Sequence, residues 1–321
     1  ISTNNYARSD MVYYPENYTP PYSGPTWHIS TTGSNDNDGS EENPFATIQH
    51  GIDASTDGDT VLVASGTYQE NINYNGKNIM LQGEDRSNTY IDGAGMGMVV
   101  TINNTTANSS LMNFTIQNGG NPEFQDGSGI YCDNCNTTLA TLNIANNNPT
   151  HEGAGSAILA DDANIIINGD THVYNNSGTS GAIALRNSNV TIDDITIENF
   201  NSEFEGGAIY INNGSTVDVN NTTFRNNIAS RGAGIFVDES DLTIQNSNLI
   251  GNISTGIGGG GISSRYSNLT VINTDFENNQ AESGPGGGIF LDGLSEESQI
   301  VNIQNCTFNG NVSASDGAGI N

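Results

Sequence analysis

Basic residues are scarce in this sequence. Only 7 of its 321 residues are Lys or Arg, against 36 Asp or Glu, and the formal net charge is −29. Binding to nucleic acid or to an anionic membrane surface requires a basic surface, so neither is expected as a partner. Such an acidic surface keeps a protein soluble, attracts cations, and suits a saline or calcium-containing medium.

Long apolar runs are also missing. No stretch of 18 apolar residues occurs, so the sequence predicts no membrane span. The chain begins at Ile1, and no signal peptide is visible. The simplest account is a mature protein whose leader has been removed, and we therefore expect it outside the cell or on the cell surface.

Cysteine is rare as well, and the three residues are Cys132, Cys135 and Cys306. A single CxxC lacks the second pair that a zinc site needs and the βαβ context of a redox motif. Cys306 has the same parity as Phe308, which predicts a buried small apolar residue. The sequence leaves open whether Cys132 and Cys135 form a disulfide.

What the sequence does contain is a repeat, most visible as an isoleucine that returns every 25–31 residues. The members of this series are Ile130, Ile158, Ile183, Ile209, Ile235, Ile262, Ile289 and Ile320. Repeats of this length indicate stacked supersecondary units that cannot bury their apolar faces alone.

Each copy holds three short segments with apolar residues at i and i+2, the period of a half-buried strand. In one copy these are residues 209–211, residues 217–219 and a segment that ends at Phe224. The first two connections are short and the third is longer and variable. The spacing predicts an all-β fold, a three-sided parallel β-helix, with coils stacked about 4.8 Å apart.

An asparagine lies three residues after the last apolar residue of the third segment in most copies. These residues are Asn147, Asn176, Asn227, Asn252, Asn279 and Asn311, and Gly119 and Phe200 interrupt the series. Asparagine tolerates the left-handed backbone of a sharp corner, and its amide can bond to the copies above and below. We predict a structural asparagine ladder.

Residues 206–209 (GGAI) and 224–227 (FRNN) resemble the repeat of bacterial polymorphic outer-membrane proteins. More broadly, residues 27–321 are similar to right-handed parallel β-helix proteins of the pectate-lyase-like superfamily. The resemblance implies a right-handed β-solenoid. It does not decide the function, because that superfamily includes lyases, hydrolases, adhesins and tail fibres.

Residues 1–26 are predicted to be an extended arm rich in Tyr and Pro. Such an arm is either a loose terminus or packs along a solenoid, since tyrosine is favoured at interfaces. The tyrosines considered as subunit or ligand contacts are Tyr13, Tyr14, Tyr18 and Tyr22.

Residues 27–58 are predicted to be an N-terminal cap with a short helix, with Asn43 as the N-cap and Pro44 as the first helical residue. Residues 59–321 then form the β-helix. The sequence stops within the first segment of a new coil, which predicts an open C-terminal end. Either the natural chain continues beyond Asn321 or another subunit covers this end.

The best metal candidate is the acidic loop at residues 36–42. Asp36, Asp38 and Glu41 place hard oxygen ligands on a tight turn, as calcium prefers, although a plain acidic turn explains the same residues. Calcium is therefore the one candidate cofactor, and the sequence requires none.

The resemblance implies a Lys or Arg base beside calcium in a lyase, or clustered Asp residues in a hydrolase. Lys77 is the only lysine, and the pairs Asp161–Asp162 and Asp193–Asp194 have no histidine nearby in sequence. Paired carboxylates on turns are usually solvated. The sequence shows no set of a nucleophile, a base and a residue that orients the base. The chain is therefore not expected to be an enzyme.

Outward residues of the first segment include the aromatic residues Tyr210, Phe236 and Phe290. They can pack beneath loops, contact another subunit, or stack on sugar rings. We expect a secreted or cell-surface structural or adhesive β-solenoid that assembles end to end into a filament, with copies of itself as partners. The alternatives are a polysaccharide lyase or hydrolase and a non-catalytic glycan-binding spike.

Overall fold

A computed structural model describes residues 22–120, 129–148, 157–293 and 299–321. The N-terminal part contains β1 (Thr26–Ile29), α1 (Ile48–Ala54), β2 (Thr60–Val63), β3 (Gly66–Gln69), β4 (Ile72–Asn73), β5 (Met80–Gly83), β6 (Thr89–Asp92), β7 (Val100–Asn103), β8 (Ser109–Met112) and β9 (Thr115–Gln117). The next coils contain β10 (Ile130–Asp133), β11 (Asn136–Ala140), β12 (Asn143–Ala145), β13 (Ile158–Asp161), β14 (Asn164–Asn168), β15 (Thr171–Tyr174), β16 (Ser177–Gly178), β17 (Ile183–Arg186), β18 (Asn189–Asp193), β19 (Ile195–Glu198) and β20 (Asn201–Ser202). The remaining strands are β21 (Ile209–Asn212), β22 (Thr216–Asn220), β23 (Thr223–Arg225), β24 (Ile228–Arg231), β25 (Ile235–Asp238), β26 (Asp241–Gln245), β27 (Asn248–Ile250), β28 (Ile253–Gly258), β29 (Ile262–Arg265), β30 (Asn268–Ile272), β31 (Asp275–Glu277), β32 (Gln280–Ala281), β33 (Ile289–Asp292), β34 (Val301–Gln304), β35 (Thr307–Asn309) and β36 (Val312–Ser313).

The strands form four sheets in which neighbours pair in parallel. Sheet A has the order β1-β2-β5-β8-β11-β14-β18-β22-β26-β30-β34, and sheet B has the order β3-β6-β9-β12-β15-β19-β23-β27-β31-β35. Sheet C has the order β4-β7-β10-β13-β17-β21-β25-β29-β33, and the short sheet D has the order β16-β20-β24-β28-β32-β36. The predicted parallel β-helix is confirmed. The first, second and third segments form sheets C, A and B. From β16 onward, the loose side of the coils adds the six-stranded sheet D, which was not predicted.

The core runs along the inside of the coils. In β22, Val217 and Val219 are buried, whereas Thr216 before them and Asp218 between them are exposed. Their partners one coil away, Val190 among them, follow the same alternation. Inward apolar residues therefore stack on their own kind from coil to coil and form one continuous apolar cluster.

The N-terminal cap contains the helix, but the predicted start was wrong. Helix α1 begins after Thr47, whose side chain accepts a hydrogen bond from the His50 N–H. Asn43 and Pro44 precede it because Phe45 continues the sheet: Phe45 N donates to His28 O, and Ser30 N donates to Phe45 O. The backbone N–H groups are thus committed to strand pairing before a helix can begin.

The first turn of α1 is held by a distant carboxylate. Ile48 N and Gln49 N donate to the two Glu70 carboxylate oxygens at 2.8 and 2.9 Å. Burial raises the pKa of Glu70 above its ordinary value of 4.5, and the two backbone hydrogen bonds oppose this shift.

This raised pKa predicts a pH dependence. The contribution of Glu70 to stability is fully present below its unfolded-state pKa and is lost as the pH rises through the higher folded-state pKa. Glu70→Gln should remove this dependence. The melting temperature of the wild type relative to the variant should therefore fall as the pH rises above about 4.5, the ordinary pKa of this glutamate. A difference that is constant, or that grows with pH, would contradict the assignment.

The corners explain why asparagine is abundant. Residues with positive φ occur at the corners between sheets C and A, between sheets A and B, and between sheets B and D. Most of them are Asn, for example Asn187, Asn221 and Asn226. The predicted left-handed position was wrong by one residue, since it precedes the ladder: Asn226 has φ 53°, and Asn227 is not left-handed. The two roles of asparagine, corner and ladder, thus fall on adjacent residues.

Glu239 is an exception at such a corner, since it is an exposed glutamate at φ 46°. A left-handed residue other than Gly, Asn or Asp costs about 1 kcal/mol. Glu239→Asn should therefore raise the free energy of unfolding by about 1 kcal/mol, measured by chemical denaturation. The same change at Glu277, which lies within β31, should bring no such gain.

Candidate functional site

Five of the six predicted ladder asparagines lie in the interior, and Asn311 is partly buried. Nδ2 of Asn227 donates to Oδ1 of Asn252 at 3.0 Å, and Nδ2 of Asn252 donates to Oδ1 of Asn279 at 3.0 Å. Asn279 donates in the same way to Asn311, and Asn147 to Asn176. At the interruption, the Phe200 N–H donates directly to Asn227 Oδ1 at 3.1 Å.

Two further ladders were missed by the sequence reasoning. At the corner between sheets C and A, Ser188 N donates to Ser215 Oγ, and Ser215 N donates to Ser240 Oγ, each at 3.1 Å. Ser240 N continues the series to Ser267 Oγ. A signal was present, because these serines recur at the repeat period directly before the second segment.

The third ladder lies between sheets A and B and corrects the prediction for Cys306. Thr222 N donates to Ser247 Oγ at 3.2 Å, and Thr274 occupies the same position in the next coil. Cys306 follows Thr274 in this series and is partly buried, with its thiol directed to Gln304 O. It thus replaces a hydroxyl residue, and it packs against the core while staying only partly buried.

The outer surface of sheet C carries the predicted aromatic residues. Tyr210, Phe236, Ser263 and Phe290 are register partners on successive strands. We call these four residues the aromatic row. Tyr210 stacks on Phe236 with 5.7 Å between ring centroids. Tyr210 and Phe290 are partly exposed, but Phe236 is completely buried.

Phe236 cannot contact a ligand in this structure, because two arginines cover it. The guanidinium groups of Arg231 and Arg265 lie 5.5 and 5.4 Å from its ring centroid. Arg231 extends across neighbouring coils to Asp292 at 3.0 Å, and Arg265 pairs with Asp238. The hydrogen bond to Asp238 raises the pKa of Arg265, so this cation stays charged at every accessible pH.

Carboxylates on the same face are also perturbed. Burial raises the pKa of Asp161, with Arg186 at 3.4 Å opposing the shift and the Asp162 and Asp133 charges adding to it. Burial, followed by Glu205, raises the pKa of Tyr210. Three arginine–aspartate pairs, Arg186–Asp161, Arg231–Asp292 and Arg265–Asp238, thus lie beside a partly exposed aromatic surface.

The position of Phe236 leads to a stability prediction. Phe236→Ala should lower the free energy of unfolding by about 3 kcal/mol, because it removes a buried ring and the surface on which Arg231 and Arg265 lie. Tyr210→Ala, at a partly exposed member of the row, should cost less. Urea denaturation of both variants tests this, and equal losses would contradict the burial of Phe236.

The acidic loop shows no assembled metal site. Asp38 Oδ1 accepts hydrogen bonds from the Ser40 N–H and hydroxyl at 3.0 and 2.7 Å, and these bonds lower the pKa of Asp38. Glu41 instead lines an open groove of about 490 Å³ with His28 and Glu84. Within the described ranges, no three His, Cys, Asp or Glu side chains converge on one point. Calcium binding stays a prediction.

Of the four arm tyrosines, Tyr13, Tyr14 and Tyr18 lie outside the described residues. Tyr22 is partly buried against the core, and its ring meets Trp27 edge-on with 5.4 Å between centroids. Its hydroxyl donates to Thr26 O. This tyrosine therefore packs on its own cap.

His172 belongs to a small group of ionisable side chains on the outside of sheet B. His172 Nε2 lies 3.0 Å from Glu198 Oε1, and Arg225 approaches the other Glu198 oxygen at 3.7 Å. The Tyr174 ring lies against His172. One carboxylate shared by two basic groups is an arrangement that balances charge. That the chain is not an enzyme stays a prediction.

A comparison with family models matches residues 173–321 to "Right handed beta helix region". The match covers the regular coils from β15 onward. The strand topology extends the same architecture to β1. The fold is therefore a right-handed parallel β-helix. The closer resemblance to the repeats of polymorphic outer-membrane proteins stays a prediction.

Two curated proteins are similar over short segments. The metabotropic glutamate receptor-like protein R of Dictyostelium discoideum is 34% identical over 120 residues, which are 37% of this chain and 7% of that protein. The protein YwoF of Bacillus subtilis is 31% identical over 81 residues, 21% of this chain and 17% of that protein. The chain thus spans a small part of the length of either relative.

Two solved structures with a similar fold are a lacto-N-biosidase and a pectin methylesterase. The lacto-N-biosidase of Eubacterium ramulus has 11% identity and a TM-score of 0.45, covering 88% of this chain and 68% of that one. The pectin methylesterase from carrot has 13% identity and a TM-score of 0.40, covering 94% of this chain and 89% of that one.

Within the described ranges, the structure contains no helix with the length and apolar character of a membrane span.

Proposed function

We propose that this right-handed parallel β-helix is a structural or adhesive shaft that acts outside the cell or on its surface. The observation that supports the proposal is the buried amide ladder through Asn227, Asn252, Asn279 and Asn311. Each rung fixes one coil on the next, in addition to the backbone pairing of the sheets. Such a row of amide hydrogen bonds makes the β-helix stiff, because the coils cannot slip past one another.

Self-association end to end is the second part of the proposal. Among the described residues, β34, β35 and β36 each pair on one side only, and the outer side of β33 is covered by a single bridge from Ile289 to Ile320. Open strand edges accept further strands, which either more of the same polypeptide or a second copy can supply. Partly exposed Tyr210 and Phe290 offer an additional contact for a copy of the chain or for a glycan.

Electron microscopy of the purified chain, with and without calcium, tests assembly. We expect filaments whose width is that of one solenoid. Monodisperse particles with the mass of one chain would contradict self-association and leave the shaft role to be tested by mechanical measurements.

Incubation with a polysaccharide panel tests the non-catalytic assignment. We expect no release of unsaturated or reducing ends, and such release would overturn the structural role in favour of a lyase or hydrolase. A glycan array tests the spike alternative. Binding that is lost in Tyr210→Ala would establish a glycan-binding role for the aromatic row.

A further inference from the structure

The CxxC segment lies at a corner of the β-helix, and the fold turns both of its thiols inward. Cys132 is an inward residue of β10, paired in register between Ile102 and Ala160. Asn134, with φ 48°, turns the chain. Cys135 then occupies the corner position that Ser188 holds two coils further on.

The two thiols share one buried environment. Cys132 is 0% exposed and Cys135 is 3% exposed, and both are unpaired. A hydrogen bond between the thiols, followed by burial, raises the pKa of Cys132 well above its ordinary value. Burial, followed by the nearby Cys132, raises the pKa of the fully buried Tyr74.

From this placement we propose that Cys132 and Cys135 close an intramolecular disulfide across the corner when the protein meets an oxidising medium. A small-molecule disulfide such as oxidised glutathione serves as the oxidant. One cysteine thiolate attacks it, forming a mixed disulfide and releasing one glutathione. The second cysteine then attacks the protein sulfur of the mixed disulfide and releases the second glutathione. The two protein thiols lose two protons and two electrons, and the oxidant is reduced to two thiols.

The chemistry indicates a lasting structural crosslink. Cysteines of thiol–disulfide oxidoreductases have lowered pKa values and exposed thiolates, and the buried Cys132 has the opposite properties. Burial slows thiol–disulfide exchange in both directions, so the disulfide forms slowly in the folded protein and persists once formed. A crosslink of this kind suits proteins in oxidising compartments.

Cys306 cannot take part. It precedes β35, whereas Cys135 precedes β11, and β11 is six strands from β34 along sheet A. At about 4.8 Å per strand the separation is roughly 29 Å, far beyond the Cα separation of about 7 Å that a disulfide allows.

The test is a thiol count on the full chain after prolonged incubation in buffer with oxidised glutathione. The protein is then denatured, alkylated and digested with trypsin. Both cysteines fall in the peptide between Arg86 and Arg186, and Cys306 falls in the peptide after Arg265. We expect the three free thiols to decrease to one. The 87–186 peptide should carry no alkyl group, and its mass should be two hydrogen atoms below that of the same peptide with two unmodified thiols.

Two variants make the result unambiguous. Cys306→Ser should leave no free thiol after oxidation. Cys135→Ser introduces the residue that other coils carry at this corner, so it should fold and keep both remaining thiols free. Three free thiols in the oxidised wild type would overturn the proposal, and so would a linkage that contains Cys306 or one that forms only in denaturant.

Discussion

Replacement of Asn252 by alanine should lower the free energy of unfolding by about 4 kcal/mol, because its side chain makes three hydrogen bonds to the neighbouring coil that alanine cannot make. Asn252 Oδ1 accepts from the Asn227 backbone N–H at 3.1 Å, and its Nδ2 donates to Phe224 O at 3.0 Å. All these atoms lie in the dry interior. A buried polar group left unpaired costs about 1–3 kcal/mol.

The measurement is equilibrium denaturation in urea, with Asn189→Ala as the matched control. Asn189 also reaches an asparagine one coil away, with its Nδ2 at 3.3 Å from Asn164 Oδ1, but it is exposed on the outside of sheet A. Its removal should change stability by less than about 0.5 kcal/mol. Equal effects at the two positions would show that burial of the ladder contributes nothing to stability.

The three long sheets were predictable from the sequence because the strands of each coil must alternate between inward apolar and outward polar residues. An inward position such as Ile209 can hold only an apolar side chain, and its partner Ile235 one coil later meets the same requirement. Asn227 is similar, because a buried amide that bonds to a copy of itself recurs at the repeat period. Features that every coil shares leave a periodic signal.

Features that depend on one coil leave no such signal. Sheet D is built from strands as short as Asn201–Ser202, too short to show any period. The burial of Phe236 depends on Arg231, which reaches Asp292 at a sequence separation of 61 residues. The sequence therefore left open whether this outward aromatic residue is packed beneath other residues or binds a partner. The side-chain paths of Arg231 and Arg265 show that it is covered.

A single methyl group at Gly207 should have the other large effect. The adjacent coil lies very close to this glycine: a Cβ built there would lie 2.0 Å from the Ala233 carbonyl oxygen. That oxygen accepts the Ala208 N–H at 3.0 Å, so it cannot withdraw without breaking the pairing of the coils. Gly207→Ala should therefore cost about 3 kcal/mol or more, measured by thermal or urea unfolding.

Gly214→Ala, in the same coil, separates this clash from the general effect of replacing a glycine. Gly214 has φ +76° and no atom within 4 Å of an added Cβ, so its replacement should cost only the left-handed backbone strain of about 1 kcal/mol. Gly207 has no such strain, and its whole effect comes from the adjacent coil. A loss at Gly207 no larger than the loss at Gly214 would mean that neighbouring coils separate easily. A rigid shaft would then be incompatible with this fold.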